Sequence, residues 1–174
     1  MKTPVRLLLD RVTTPTGTML LVADEQGRLR ALDWETHEAR MTRLLGLRWR
    51  GGVELVPTDD PSGLSKRLRA WFAGDLDAFA GVEVELGGTD FQREVWSALR
   101  EIPTAETVSY GRIATRIGRP NAVRAVGLAN GANAVAIVVP CHRVIGADAS
   151  LTGYGGGLER KRWLLDHERA HARA

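Results

Sequence analysis

One cysteine in 174 residues means that this chain holds itself together by burial alone. No intramolecular disulfide can form, and a zinc site built on several cysteines is equally excluded. The apolar residues must therefore carry the fold. At 44% hydrophobic and 26% charged, the chain has an ordinary globular make-up rather than a disordered one. Its length suits one domain or two small ones. No apolar run approaches the roughly 18 residues of a membrane span. The start, MKTPVRLLLDRV, has too short an apolar stretch for a signal peptide. These features predict a cytoplasmic protein with no membrane partner and no metal.

The charge is small overall and uneven along the chain. Residues 1–87 carry 12 basic and 13 acidic side chains; residues 88–174 carry 12 and 8, a net of +4. No acid lies between Glu106 and Asp148, yet Arg112, Arg116, Arg119, Arg124 and Arg143 fall there. Such a segment can present a positive face to an anionic partner, nucleic acid among them. It can equally be a solvated surface paired with acids from elsewhere.

Periodicity and punctuation predict an α+β, mostly α, two-part architecture. An N-terminal α/β domain, a small sheet plus helices, covers 1–80. Residues 81–88 are a linker, and a C-terminal helical domain covers 89–174. Strands are predicted over Val5–Val12, Thr18–Ala23 and Leu29–Trp34, separated by Thr14-Pro15-Thr16-Gly17 and Asp24-Glu25-Gln26-Gly27 turns. Helices are predicted over Thr36–Leu47 and over Ser62–Phe72, the second capped by Ser62 and stopped by Gly74. In the second half, Thr89 and Gln92 have capping-box spacing ahead of a Phe91, Val95, Trp96, Leu99, Ile102 stripe. Ser109 caps a short helix and Asn121 caps another, with a Gly118-Arg119-Pro120 turn between them. That pattern fits a helix-turn-helix, and many unrelated αα-hairpins share it. The small residues Ala122, Ala125, Gly127 and Ala129 of the second helix suit close approach, whether to a groove of DNA or to another helix.

The apolar run Ala134–Val139 reads as a buried strand leading into Pro140-Cys141-His142-Arg143-Val144. A lone cysteine is commonly an inert small core residue. Here a proline fixes the chain before it, and a histidine and an arginine follow, a setting that favours thiolate. Neighbours on extended backbone point to opposite faces, so Cys141 and His142 cooperate only if the chain turns or a water bridges them. The loop Thr152-Gly153-Tyr154-Gly155-Gly156-Gly157 lacks phosphate-loop spacing; it fits a cover over a pocket or a plain connector. A last helix spans Leu158–Arg169. Glu168 lies near its end, where an acid opposes the helix dipole, and a histidine partner would explain its place.

PCHRV at 140–144 resembles the active-site signature of the O6-alkylguanine-DNA alkyltransferases, also called methylated-DNA–protein-cysteine methyltransferases. The likeness extends to TDFQREVWSAL at 89–99, SYGRIA at 109–114, RAVGLAN at 124–130, TGYGGG at 152–157 and RKRWLLDHE at 160–168, in the family's order and spacing. TPTGTMLLVADEQGRLRALDWE resembles the family's first domain, and the bacterial single-purpose form is the nearest type. The resemblance implies direct, irreversible, one-turnover transfer of an alkyl group from O6 of guanine in duplex DNA to Cys141, after minor-groove binding and nucleotide flipping. O4 of thymine is a second candidate target. His142 would be the base, acting through water, and Glu168 its orienter. Asn133 would bridge helix-turn-helix and active site, and Tyr110 would contact phosphate and help protonate the departing guanine. Arg124 would enter the duplex, on a DNA-binding face of Ala125, Gly127, Ala129 and Gly131. Val144, Tyr154, Gly155 and Gly156 would line the pocket, with the carbonyls of Cys141 and Val144 reading the base amine. Alkylated double-stranded DNA is the implied partner of a monomer, with cooperative binding left open, and no cofactor is implied.

Ala134 and Ala136 stand where the family usually has prolines, and Gly155 where some members carry a serine. The zinc-binding cysteines of some relatives' first domain are absent. Three rivals remain in view: a lesion-recognition protein, which would lack the cysteine; a helix-turn-helix regulator, which would read paired half-sites; and a cysteine hydrolase using Cys141, His142 and Glu168.

Overall fold

The computed structural model describes residues 3–148, Tyr154 and residues 157–172. They form two compact units, Met1–Gly87 and Gly88–Ala174.

The first unit is a mixed four-stranded sheet with two helices. Strands β1 (Val5–Thr14), β2 (Gly17–Ala23), β3 (Leu29–Trp34) and β4 (Val53–Pro57) lie in the order β3-β2-β1-β4. β1–β2 and β2–β3 are antiparallel; β4 runs parallel to β1. The first hairpin closes over Pro15-Thr16, with Thr14 Oγ1 donating to the carbonyl of Gly17 at 2.6 Å and Gly17 in a left-handed conformation (φ 115°). Along β1 the side chains alternate. Leu7 and Leu9 join Leu20, Val22 and Ala31 in a core closed by Met41 and Leu45 of α1 (Glu38–Gly46). Asp10 takes the other side and accepts from Ser65 Oγ at 2.6 Å, which ties α2 (Leu64–Phe72) to the strand.

Several expectations are corrected in this unit. The first helix begins with a 3-10 turn at Glu35–His37, so its α-helical part starts at Glu38. Ser62 is not the cap of α2: it has a positive φ of 54° inside a 3-10 turn, and Gly63 (φ 73°) precedes the helix. β4 was not anticipated; five residues between Gly52 and Thr58 are too short to show a period. Residues 81–88 are not a loose connector throughout. The Leu29 N–H donates to the Glu83 carbonyl at 2.9 Å and the Glu85 N–H to the Leu29 carbonyl at 3.0 Å, which pins this segment to the edge of β3.

The second unit is built on α3 (Asp90–Arg100), α4 (Tyr110–Arg116), α5 (Val123–Gly131) and α6 (Leu158–His171). α3 opens with the reciprocal bonds that its sequence predicts: Gln92 N–H to Thr89 Oγ1 at 3.1 Å, and Thr89 N–H to Gln92 Oε1 at 2.9 Å. Gly88 before it (φ 90°) has no room for a side chain, since a Cβ would stand 2.7 Å from the Trp96 ring. Trp96 crosses to α5, its Nε1 donating to the Ala129 carbonyl at 2.9 Å. Ser109 caps α4 as expected, accepting from the Arg112 N–H. Asn121 makes no cap; Ala122 holds that position on α5 with no side-chain bond.

The run Ala134–Val139 is buried but is not a strand. Its backbone turns back on itself, with Val139 N–H donating to the Val135 carbonyl at 3.1 Å and Ile137 at a positive φ of 71°. A short continuous apolar run carries no period that separates strand from buried turn. Two short strands, β5 (Val108–Ser109) and β6 (Val144–Ile145), pair in parallel. The start of α4 is thereby placed beside the segment that follows Cys141.

The capping box gives a direct test. Thr89→Ala removes the acceptor for the Gln92 N–H and should lower stability by ~1 kcal/mol, read as a lower denaturation midpoint with an unchanged slope. Thr89→Ser should restore it, and an unaltered midpoint in the alanine variant would show that the box contributes nothing.

Candidate active site and nucleic-acid interface

A 3-10 turn over Cys141–Arg143 provides the bend that lets consecutive residues work together. It starts where Pro140 leaves the buried turns, with Cys141 N–H donating to the Val139 carbonyl at 2.8 Å. Cys141 is 6% exposed, and His142 is fully buried. Asn133 sits against the sulfur. Its Nδ2 lies 3.2 Å from Cys141 Sγ and also reaches the carbonyls of Val139 (2.9 Å) and Val135 (3.2 Å), while its Oδ1 accepts from the Val135 N–H. The amide thus pins the turn that carries the thiol and offers a donor to sulfur, which favours the thiolate.

His142 Nε2 is hydrogen-bonded to Glu168 Oε1. Burial pushes the imidazole pKa below its ordinary value, outweighing the upward pull of Glu168; the charges of Arg143 and Lys161 act in the same sense as burial. The ring is therefore neutral at rest. With Nε2–H donating to the carboxylate, Nδ1 carries the lone pair, and among the described residues Nδ1 has no hydrogen-bond partner. Glu168 lies near the end of α6, fully buried. Burial raises its pKa, but His142 and then Arg143 outweigh that and hold it down at about 2. Arg143 Nε donates to Glu168 Oε2 at 2.9 Å and its Nη1 to the Ile102 carbonyl at 2.8 Å. The Ala105 N–H gives the carboxylate a further donor at 2.9 Å. Arg143 therefore serves the carboxylate, which differs from the sequence reading of it as a bare positive neighbour of the thiol.

Lys161 is the residue that sequence reasoning missed. It is fully buried on α6, and its Nζ donates to the Val144 carbonyl at 2.6 Å. Burial drives its pKa down to about 8 against the opposing charge of Cys141. A signal was available: Lys161, Leu164, Leu165 and Glu168 share one helical face, so the face that buries the glutamate also buries the lysine. The Val144 carbonyl, expected to read a base amine, is already engaged by this ammonium; a second lone pair remains on that oxygen. Tyr154 is half-buried, and Gly155 and Gly156 lie outside the described residues.

Tyr110 is the first residue of α4, immediately after the β5 strand that pairs with β6. On α5, Arg124 and Ala125 are exposed, Gly127 is half-buried and Gly131 is exposed. A Cβ at Gly127 or Gly131 would meet nothing within 4 Å, so packing inside the unit does not require glycine at either position. Ala129 departs from the expected DNA face: it is 2% exposed, and its carbonyl is held by Trp96. The 3.6-residue period explains this, since 126, 129 and 130 turn inward while 124, 125 and 128 turn outward. Asn130, next in line, donates from Nδ2 to the Cys141 carbonyl at 3.4 Å. Leu128, 73% exposed, adds an apolar side chain to the outward face. Of the arginines in the acid-free segment, Arg119 pairs with Glu94 and Arg143 with Glu168. Among the described residues, Arg112, Arg116 and Arg124 have no acidic partner.

Comparison with known proteins identifies the family of the chain. Residues 90–170 match the family described as "6-O-methylguanine DNA methyltransferase, DNA binding domain". A methylated-DNA–protein-cysteine methyltransferase of Salmonella typhimurium is 53% identical over 165 residues, covering 94% of this chain and 96% of the relative. One from Mycobacterium bovis is 60% identical over 120 residues, 67% of this chain and 72% of the relative. Among solved structures, Mycobacterium tuberculosis OGT in complex with DNA superposes with a TM-score of 0.81 at 45% identity, covering 96% of each chain. With whole-length identity above one half and the same architecture across both units, the chain belongs to the methylated-DNA–protein-cysteine methyltransferase family.

Proposed function

We propose that this protein repairs DNA by moving an alkyl group, methyl foremost, from O6 of guanine onto Cys141, once per molecule. The observation that carries the proposal is the sulfur of Cys141 lying 3.2 Å from Asn133 Nδ2, on a turn whose next residue is a buried histidine bound to a buried glutamate. That assembly produces and steadies a thiolate, the side-chain nucleophile best suited to displacement at saturated carbon. His142 Nδ1 takes the thiol proton, and the anionic Glu168 stabilises the imidazolium that results. The sulfur then attacks the alkyl carbon. An S–C bond forms as the C–O6 bond breaks, the electron pair stays on guanine, and a proton from Tyr110 neutralises it. The product thioether has no hydrolytic route back, so the protein is consumed, and no cofactor takes part.

The target atom lies inside the base stack, so the nucleotide leaves the duplex to reach the sulfur. α5 enters the minor groove with its outward face, and Arg124 fills the space of the departed nucleotide. Contacts to phosphate dominate because the lesion can occur in any sequence. Among the described residues no helix is long and apolar enough to cross a membrane; we place the protein in the cytoplasm, acting as a monomer. An intact Cys141 disfavours a lesion-recognition role without transfer.

Four outcomes are expected. Incubation with duplex DNA containing O6-methylguanine should add one methyl group to the peptide bearing Cys141, stopping at one per protein by mass spectrometry. Cys141→Ala should gain no mass while still binding; methyl gain in that variant would refute the assignment. Arg124→Ala should slow repair in duplex DNA far more than reaction with free O6-benzylguanine, and equal losses on both substrates would remove the residue from the flipping step. Lys161→Met deletes a cation that interacts with Cys141, so the pH–rate profile with the free base should move to higher pH. A profile that stays in place would confine Lys161 to holding the Val144 carbonyl.

A further inference from the structure

Outside the site just described, the first unit contains a cleft of about 330 Å³ lined by β1 residues Val5, Arg6 and Leu7, the β2–β3 turn from Asp24 to Arg28, and Arg30 and Trp49. Its floor is an ordered pair of guanidinium groups. Arg28 Nε and Arg30 Nε donate to the same oxygen, Asp24 Oδ2, at 2.7 and 2.8 Å. The other Asp24 oxygen accepts the backbone N–H groups of Gln26 (3.0 Å) and Arg28 (2.9 Å), which fixes the carboxylate on the turn. The guanidinium of Arg30 stacks on the Trp49 ring at 5.2 Å, and Arg48 lies 5.9 Å from the same ring.

This arrangement uses the Nε donors and leaves others over. Arg30 is 8% exposed, and its Nη1 is buried with no hydrogen-bond partner among the described residues. A buried unpaired donor on a cation is costly, and burial of a guanidinium calls for acceptors on more than one of its nitrogens. Nothing in the alkyl-transfer reaction uses this group. Arg6 stands at the rim with a long, exposed pairing to Glu25 at 3.7 Å, a contact too weak to occupy it. The lining of the cleft thus carries three cations against two acids, one of which, Asp24, is committed to orienting the arginines; outside the lining, Glu83 and Glu85 also act on Arg28.

We infer that this cleft is a phosphate-binding site, in which Arg28 and Arg30 grip one tetrahedral oxyanion through their Nη groups and Arg6 closes over it. A fixed fork of N–H donors matches phosphate oxygens better than it matches a halide. The phosphate is either the free ion or a phosphodiester of nucleic acid; the donor chemistry is the same.

The test is nitrogen-15 NMR of the arginine Nε–H groups in the full-length protein. Inorganic phosphate is titrated against sodium chloride of matched ionic strength. Saturable shifts of the Arg28 and Arg30 signals with phosphate but not with chloride are expected. Arg28→Gln should weaken that binding about tenfold, the effect of losing one charge-assisted interaction. Should Arg28→Gln disturb the turn, Arg6→Gln at the exposed rim should still weaken binding by a smaller factor. Equal, unsaturable shifts in both salts would overturn the inference, as would phosphate binding unchanged in both variants. A second titration uses an undamaged DNA duplex. If the same signals move and Arg28→Gln reduces the salt dependence of duplex binding by about one unit of slope, the ligand is the DNA backbone. If the duplex leaves them still while inorganic phosphate shifts them, the site takes small phosphates. Both patterns uphold phosphate recognition.

Discussion

The second unit depends on one buried carboxylate. Glu168 has no exposed surface, yet it remains ionised because two segments bring it three donors: His142 and Arg143 from the 3-10 turn, and the Ala105 N–H from the loop after α3. An exposed ion pair contributes about 0–1 kcal/mol, whereas a buried one broken on one side costs ~3–5 kcal/mol. The magnitude explains why the interaction acts as a hub. Removing Arg143 leaves the Glu168 carboxylate in a place water does not reach, with only neutral donors around it. The arrangement also explains a local oddity: Ala105 adopts a φ of 68°, unusual for a residue with a Cβ, and its N–H bonds Glu168 in that conformation.

The same hub, on the proposed function, sets the chemistry of the thiol. A neutral histidine with its Nε2–H committed to a carboxylate has its basic nitrogen on the other side, so the tautomer is dictated by Glu168. Asn133 and Lys161 then act on the sulfur from independent directions, one by a donor at 3.2 Å and one by charge. The prolines usual in this family are alanines here, at 134 and 136. In this chain the turn is pinned by the three carbonyl and amide bonds of Asn133. A single side chain thus fixes the backbone that the missing rings would otherwise stiffen.

What the sequence revealed follows the range of the interactions involved. The Thr89–Gln92 box and the Ser109 cap close within three residues, so spacing alone identifies them. Glu168 stood out because it sat at the wrong end of a helix dipole, a local misfit that a histidine partner or plain exposure would equally explain. Cys141 was named by its neighbours. β4 was not visible, because its place beside β1 depends on residues some 48 positions away. The turn structure of Ala134–Val139 was hidden for a related reason: a run of uniformly apolar residues has no alternation by which a strand is recognised. Ala129 was misplaced by composition, since small residues on a helix were grouped together regardless of which way each one faces. Lys161 lies on a helix with several charges, and only its position relative to Glu168 marks it as interior.

On the proposed reading, the nine residues of α5 join recognition to reaction. Its outward residues, Arg124, Ala125 and Leu128, are exposed, and Arg124 has no acidic partner among the described residues. Its inward residues are fastened to the interior: the Ala129 carbonyl to Trp96, and the Asn130 amide to the Cys141 carbonyl. Asn133, two residues past the helix, holds the sulfur itself. On the proposed reading, the helix that meets DNA is therefore separated from the reacting atom by one turn of backbone and two amide side chains. A short rigid connection of this kind suits a protein that acts once. Such a protein gains nothing from a lid that reopens for release, and what it needs is that docking on damaged DNA and alignment of the thiol be the same event.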